Sequence, residues 1–359
     1  MSEFREARLS KAKSLIAKGF EPYCESFKVT HSTKFIIDNY SYLENGEEFQ
    51  LNISLAGRIL AKRILGKIAF FSICDQEGPI QLYLDKLIID DKDNASKNHL
   101  SFDDLRELVD IGDWIGVHGT LKKTNKGELS IKVSTWQMLS KSLQPLPDKW
   151  HGLTDVEKRY RQRYLDLIVN PQSKNVFKTR AKSISLIRRW LDDKNFIEIE
   201  TPILQSEAGG AEARPFITYH NTLDIPLYLR IATELHLKRM VVGGFERVYE
   251  LGRIFRNEGI STKHNPEFTS VEIYEAFSNY EDMMNIAEEL ICHIVSNTCK
   301  SLVIDYQSHK IDFATKWQRF TMKEAVMKFA GINFDEFNGD FNQAISCLEE
   351  NKFVIPKQI

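Results

Sequence analysis

The sequence predicts an α+β protein of two domains, a small β-barrel followed by a domain built on an antiparallel sheet. Three observations predict it. Residues 51–139 carry five strand-like runs with one helical run between the third and the fourth. The stretch 140–154 then breaks the pattern with Pro145, Pro147 and Gly152. Beyond it helical and strand periods alternate, and they culminate in a long hairpin from Glu246 to Phe277. A chain of 359 residues is long enough for two such domains.

Composition narrows the class. Hydrophobic content of 42% with 27% charged residues is that of a globular protein, not a membrane or disordered one. A net charge of −2 provides no global basic field, so any nucleic-acid contact has to be local. Cys24, Cys74, Cys292, Cys299 and Cys347 form no C-x-x-C pair and have no His cluster beside them. That argues against zinc, and for reduced thiols in a cytosol. The N-terminus is charged from Glu3 onward, and no signal peptide or long apolar run is visible, so a cytoplasmic protein without a membrane partner is expected.

Residues 1–50 read as a helical extension. Over residues 3–18, Arg5, Arg8, Lys11, Lys13 and Lys18 either lean on a phosphate backbone or form a solvated face. Pro22 ends that helix, and the thirty residues after it carry no clear pattern.

Residues 51–140 form the barrel domain. LNISLAGRIL, KIAFFSIC, PIQLYL, DWIGVHGTL and ELSIKVSTWQML are strand-like, and Phe102 to Val109 is helical. Five strands with a helix in that place match an OB-fold, whose face often binds single-stranded nucleic acid. Arg58, Lys62, Arg63 and Lys67 gather near Phe70 and Phe71, with Gln81 on the third strand. Cations interleaved with aromatics suit stacked bases, and an amide can read a base edge. Alternation equally makes one Phe of the pair core.

Residues 141–154 are the linker and residues 155–359 the second domain. KRYRQRYLDLI opens it, with Lys158, Arg159, Arg161 and Arg163 placed either to touch nucleic acid or a partner subunit, or as a plain charged helix. Val176 to Phe196 is amphipathic, with Phe177, Ala181, Ile184, Ile187 and Leu191 at helical spacing. The strand IEIETPIL follows, and Pro202 closes its regular pairing. In GGAEARPF, Gly209 and Gly210 permit positive φ and close backbone approach. YLRIATELHLKRMVVGGFERV then reads as strand, helix and turn, with Glu234 early in the helix.

The hairpin carries the chemistry. Val248, Glu250, Ile254 and Arg256 share a face, and so do Phe268, Ser270, Glu272, Tyr274 and Ala276. The loop from Asn257 to Glu267 holds Glu258, Lys263, His264 and the turn pair Asn265-Pro266. A nucleoside triphosphate calls for a fork-shaped cation and a flat ring, which Arg256 and Phe268 can supply. An ordinary salt-bridged surface hairpin is the alternative for any one of these residues. A helix from Glu281 to Cys299, two weak strands and two short helices complete the chain without a chemical signal.

The order Phe-Arg-Asn-Glu, a short loop, His-Asn-Pro-Glu-Phe, then Glu-Ile-Tyr resembles motif 2 of the class II aminoacyl-tRNA synthetases, and within them the lysine–tRNA ligases. GGAEARPF is similar to a string of those ligases. Helix, strand and Pro202 resemble motif 1, the family's dimer-forming element, and the barrel resembles their anticodon-binding domain. The resemblance implies that Arg256 neutralises the α-phosphate of ATP as the catalytic residue. It places His264 on a distal phosphate, Phe268 on adenine, and Glu258 and Asn265 nearby. Glu234 would hold the α-amino group of lysine, Glu272 and Tyr274 its side-chain ammonium, and Gly210 would present backbone. Phe70 would stack on an anticodon base, with Arg63 and Gln81 in polar contact.

The reaction implied is attack of the lysine carboxylate on the α-phosphorus, then transfer from lysyl-adenylate to lysine tRNA. Mg²⁺ accompanies ATP in the family, and no metal ligand is nominated in this chain. An aspartate- or asparagine-specific relative is disfavoured, because an aspartate side chain needs a cation where Glu234 and Glu272 stand. Two departures are visible. Thr233 replaces a usual Pro and is expected to affect the start of its helix more than chemistry. Motif 3 is not found, and the resemblance puts the family's Mg²⁺ ligands beyond the end of this chain, so an incomplete catalytic sheet truncated before motif 3 is expected, with activity open to impairment. The alternative is a non-catalytic tRNA-binding fragment or paralogue.

Overall fold

A computed structural model of the protein describes residues 3–91, 99–147 and 153–353. Part of the expected linker, including Gly152, lies outside the described residues. The chain divides into two compact units, Met1–Lys174 and Asn175–Ile359.

In the first unit α1 (Glu3–Ala17) and α2 (Thr33–Tyr40) precede the barrel strands β1 (Glu48–Leu65), β2 (Ile68–Cys74) and β3 (Pro79–Asp85). Then come α3 (Lys86–Ile89), α4 (Phe102–Leu108), β4 (Trp114–Lys123) and β5 (Leu129–Ser140). The barrel closes in the order β1-β2-β3-β5-β4, as the OB-like reading expects. Every second residue of β2 and β3 is buried, the period of a strand with one face on a core. β1 is long because it serves two neighbours, pairing β4 through its first half and β2 through its second. Gly57 lies at that crossover, where a Cβ would stand 3.1 Å from the Cβ of Ile73. Phe102, Leu105 and Leu108 of α4 join Phe71, Leu82 and Val117 in one core. Each such side chain stabilises by about 1.5–3 kcal/mol when fully buried. Ser101 and Asp104 form a capping box that starts α4.

Three of the five cations over residues 3–18 are committed inside this unit. Arg8 donates to the carbonyls of Ser142, Gln144 and Ile111, Lys11 pairs with Asp110 at 2.6 Å, and Lys18 pairs with Asp104 at 2.9 Å. Fully buried Lys141 lies between Asp110 at 2.6 Å and Asp113 at 2.7 Å.

The unit ends with α5 (Val156–Arg161), α6 (Arg163–Val169) and the first residues of α7 (Pro171–Asp193). The basic run resolves into structure. Asp166 is fully buried and accepts from Arg159 Nε at 2.8 Å, Asn170 Nδ2 at 2.7 Å and the Arg163 guanidinium. Burial alone would raise its pKa, but the hydrogen bonds from Asn170, Arg159, Ser173 and Arg163 hold the carboxyl well below the usual range. Arg161 pairs with Glu157.

The second unit continues α7 and adds β6 (Ile197–Glu198), β7 (Leu204–Gln205), β8 (Ile217–His220), β9 (Ile225–Leu229) and α8 (Glu234–Val242). The hairpin strands β10 (Arg247–Phe255) and β11 (Glu267–Glu275) follow, then α9 (Tyr280–Cys299), β12 (Val303–Tyr306), β13 (His309–Asp312), α10 (Met322–Ala330) and α11 (Phe341–Glu350). β11 and β10 pair antiparallel, β6 adds parallel to β10, and β7-β9-β8 form a second sheet. Tyr249, Leu251, Val271 and Ile273 turn one sheet face onto Trp190 and Leu191 of α7 and Leu290 of α9. Helix α7 begins at Pro171, five residues before the expected start, with proline at its first position. Phe177 is half exposed rather than core, because the packed stripe of α7 runs through Ile187, Trp190 and Leu191.

Candidate functional site

The face of the hairpin turned away from those helices is the floor expected from the alternation. Across the ladder Val248 faces Tyr274, Glu250 faces Glu272, Gly252 faces Ser270 and Ile254 faces Phe268. Directly opposed residues project to the same side, so the carboxylates, the hydroxyl and the ring share one surface.

Two carboxylates on that surface have different tasks. Glu250 is buried with Arg230 in an ion pair, and it also accepts from Thr201 Oγ1 at 2.6 Å. Arg230 in turn donates to the carbonyl of Arg253 at 2.8 Å. A Cβ on Gly252 would collide with the Arg230 guanidinium, so the glycine lets the arginine cross the strand. This buried pair occupies part of the floor face itself, and the sequence reading did not find it. Glu272 accepts the backbone N–H of Thr233 at 2.9 Å and the Tyr274 hydroxyl at 3.2 Å. Burial, and then the charges of Glu272 and Glu234, push the Tyr274 hydroxyl well above its ordinary pKa.

Glu234 opens α8 and pairs with Lys238 one turn on, at 2.6 Å. Gly210 has φ +85, and a Cβ there would stand 3.0 Å from the Cβ of Glu234 and 3.1 Å from that of Ala232. Gly210, Glu234, Glu272 and Tyr274 therefore gather around the start of α8.

Arg256 and Phe268 meet at the open end of the hairpin, the guanidinium 5.3 Å from the ring centre. The Arg256 side chain also donates to the carbonyl of Ile231 at 3.4 Å, and its N–H closes the loop on Pro266 at 2.9 Å. Asn257 N–H bonds the carbonyl of Arg214 at 2.7 Å, which brings the GGAEARPF segment alongside. The loop residues Glu258, His264 and Asn265 are exposed. His264 Nδ1 is 2.8 Å from Ser261 Oγ within the loop's own turn, so the structure does not gather these three against Arg256 and Phe268. Among the described residues no group of three or more His, Cys, Asp or Glu side chains is arranged to hold a metal ion.

On the barrel, Arg63, Phe70 and Gln81 line one cleft of about 590 Å³. The register places Arg63 opposite Phe70 and Phe70 opposite Tyr83. Phe70 is half-buried with its ring edge-on to Tyr83 at 5.7 Å, while Phe71 is the core member of the pair. Gln81 accepts from Ser130 Oγ at 2.8 Å, which leaves its amide N–H₂ as the available donor. Tyr83, two residues from Gln81 on the same face, is a ring the sequence reading missed although the period of two contained it. Lys62 also lines this cleft, but its ammonium, like the Arg58 guanidinium, is engaged elsewhere. Lys62 donates to the carbonyls of Arg106 and Val109 near the end of α4, and Arg58 donates to Gly112 while its guanidinium lies over Trp114. Burial lowers the Lys62 pKa to about 8, with Asp110 opposing the shift.

Residues 53–139 match the OB-fold nucleic acid binding domain, and residues 155–352 match tRNA synthetases class II (D, K and N). The chain is 74% identical over 359 residues to a lysine–tRNA ligase of Prochlorococcus marinus subsp. pastoris, covering all of this chain and 70% of that protein. It is 74% identical over 349 residues to the enzyme of the same name from Prochlorococcus marinus strain MIT 9312, covering 97% and 68%. For strain MIT 9303 the identity is 60% over 361 residues, covering 100% and 70%.

Proposed function

The chain belongs to the class II tRNA synthetases of the D, K and N group, a family of enzymes that aminoacylate tRNA, and from that premise we propose that it activates lysine as lysyl-adenylate and transfers it to lysine tRNA. The observation that carries the amino-acid assignment is the set Glu234, Glu272 and Tyr274 at the start of α8. Two carboxylates suit a substrate with two ammonium groups, and repel an aspartate side chain.

Activation needs no protein nucleophile, because the lysine carboxylate itself attacks the α-phosphorus. It needs alignment and neutralisation of the charge that develops on the phosphate. Arg256 is the cation for this, held at the floor's edge against the Phe268 ring. Phe268 offers stacking for adenine, Gly210 a backbone that a ligand can approach, and Glu258, His264 and Asn265 are proposed for the triphosphate and base from the loop. Magnesium would arrive on the ATP phosphates. The described residues form no cluster for it, and no step is assigned to it. Arg63, Phe70, Gln81 and the barrel cleft are proposed for the anticodon.

The domain limits are taken as 1–50, 51–140, 141–154 and 155–359. A cytoplasmic homodimer through α7 and β6 is proposed as well. Val176, Phe177 and Ile197 are exposed there, an apolar set that a second copy would cover. Among the described residues no helix is long and apolar enough to cross a membrane. ATP–pyrophosphate exchange on the 359-residue chain, with and without lysine, tests the reading. Lysine-dependent exchange is expected. Its absence alongside retained binding of lysine tRNA would make this chain a recognition module.

A further inference from the structure

Site residues of the second unit come from two sheets. Arg256, Phe268, Glu272 and Tyr274 stand on or beside β10 and β11, whereas Gly210 and Glu234 lie in the segments that lead on from β7 and β9. Their relative placement depends on what joins the sheets. Arg230, the residue after β9, makes that join. Its carbonyl accepts the N–H of Phe255 at 3.0 Å, and its Nε donates to the carbonyl of Arg253 at 2.8 Å. Another arm of the guanidinium pairs with Glu250 and donates to the carbonyl of Thr201 at 3.1 Å. One side chain and its carbonyl therefore hold β10 at 250, 253 and 255. The next residue, Ile231, offers the carbonyl on which Arg256 Nε rests.

Arg230 and Glu250 are 3% and 5% exposed, so their role is not contact with a ligand. A buried ion pair also adds little net stability over apolar residues of equal volume, which leaves geometry as its contribution. We infer that Arg230 is a positioning residue for activation: through its pair with Glu250 it sets where Arg256 stands relative to the lysine groups, without touching either substrate. The inference rests on the reading of Arg256 as the cation at the α-phosphate. Alignment matters most in a step with no protein nucleophile, where a misplacement of about 1 Å can cost ~10²-fold.

Arg230→Met combined with Glu250→Gln tests it. The two changes remove both charges together and leave an oxygen for Thr201, so the fold survives where Arg230→Met alone would strand a buried carboxylate. Lysine-dependent pyrophosphate exchange by the full chain is read in wild type, in this pair variant, in Arg256→Ala and in all three substitutions together. Melting and the stoichiometry of lysine binding, by calorimetric titration, give the folded fraction. The expected result is a kcat per folded site lowered by about 10–100-fold, with KM for lysine close to wild type. Placed on Arg256→Ala, the pair variant should add no further loss, because residues acting through one another are not additive. Wild-type kcat in a folded pair variant would overturn the assignment. So would losses that multiply in the combined form, or a smaller folded fraction that accounts for the whole loss, since that marks a structural role. Should the pair variant not fold, Gly252→Ala, whose Cβ would collide with the guanidinium, displaces the same group with both charges kept and is judged by the same kcat and additivity. Near-normal exchange in Arg256→Ala, or none in wild type, would instead sink the reading of Arg256 or of the reaction, and this inference with it.

Discussion

Arg256 projects from the end of β10, where it contacts a ring and one carbonyl and supports no core side chain. Its removal should therefore separate chemistry from folding. Arg256→Ala is expected to lower lysine-dependent pyrophosphate exchange by at least about 10²–10³-fold, the usual loss for a group aimed at developing charge. Far-ultraviolet dichroism and the melting point should stay at wild type. Near-normal exchange in that variant would remove Arg256 from the mechanism. Phe70 offers a matching test on the barrel. Its partner Phe71 is core, so Phe70→Ala should leave the barrel intact yet weaken tRNA binding, each stacked base being worth about 1–3 kcal/mol. Filter binding of lysine tRNA would read this, and an unchanged dissociation constant would move the anticodon elsewhere.

Elements of this chain are tied by charges that look from the sequence like ligands for nucleic acid. α5 and α6 are joined through buried Asp166, which Arg159 and Arg163 clamp. Asp166→Ala leaves those partly exposed arginines without their carboxylate and should cost about 1.5–3 kcal/mol of stability, measured by urea denaturation. The folded pKa of Asp166 lies below the unfolded one. Its contribution is therefore complete above the unfolded value near 3.9 and fades as pH falls towards the folded one. Lys62, which fastens β1 to α4, has a dependence of the same sign in a more alkaline window. Its folded pKa of about 8 lies below the ordinary 10.5, so between those values the unfolded chain binds more protons. Its contribution to stability consequently rises with pH across that window. Denaturation midpoints at pH 8 and pH 10, compared with Lys62→Met, should show a rise in the wild type that the variant lacks.

For the whole molecule, a net charge of −2 limits what long-range attraction can add to tRNA binding. Arg8, Lys11, Lys18, Arg159 and Arg163, the cations of the two basic runs, are engaged internally, so those runs offer few phosphate contacts. Raising salt from about 50 to 200 mM should weaken tRNA binding by less than roughly tenfold, as one or two phosphate contacts imply. A much steeper slope would require an unrecognised basic surface. The sequence by itself determined the barrel, the hairpin, its loop and the two faces of the floor. Those depend on a period of two and on turn residues, and such patterns are local. It also put Arg256 near Phe268 and Glu272 beside Tyr274, because alternation sets residues two apart on one face and the short hairpin loop brings the strand ends together. What tertiary structure alone decided is which charges are available. Glu250 and Glu272 occupy opposed positions on one face, yet Glu250 is consumed by Arg230, which comes from the end of another strand. The Lys62 ammonium turns to α4 although the residue lines the same cleft as Arg63, and the Thr233 hydroxyl is buried without a partner among the described residues. Each outcome depends on what packs against the residue from elsewhere in the chain, and burial of that kind leaves no mark in local spacing.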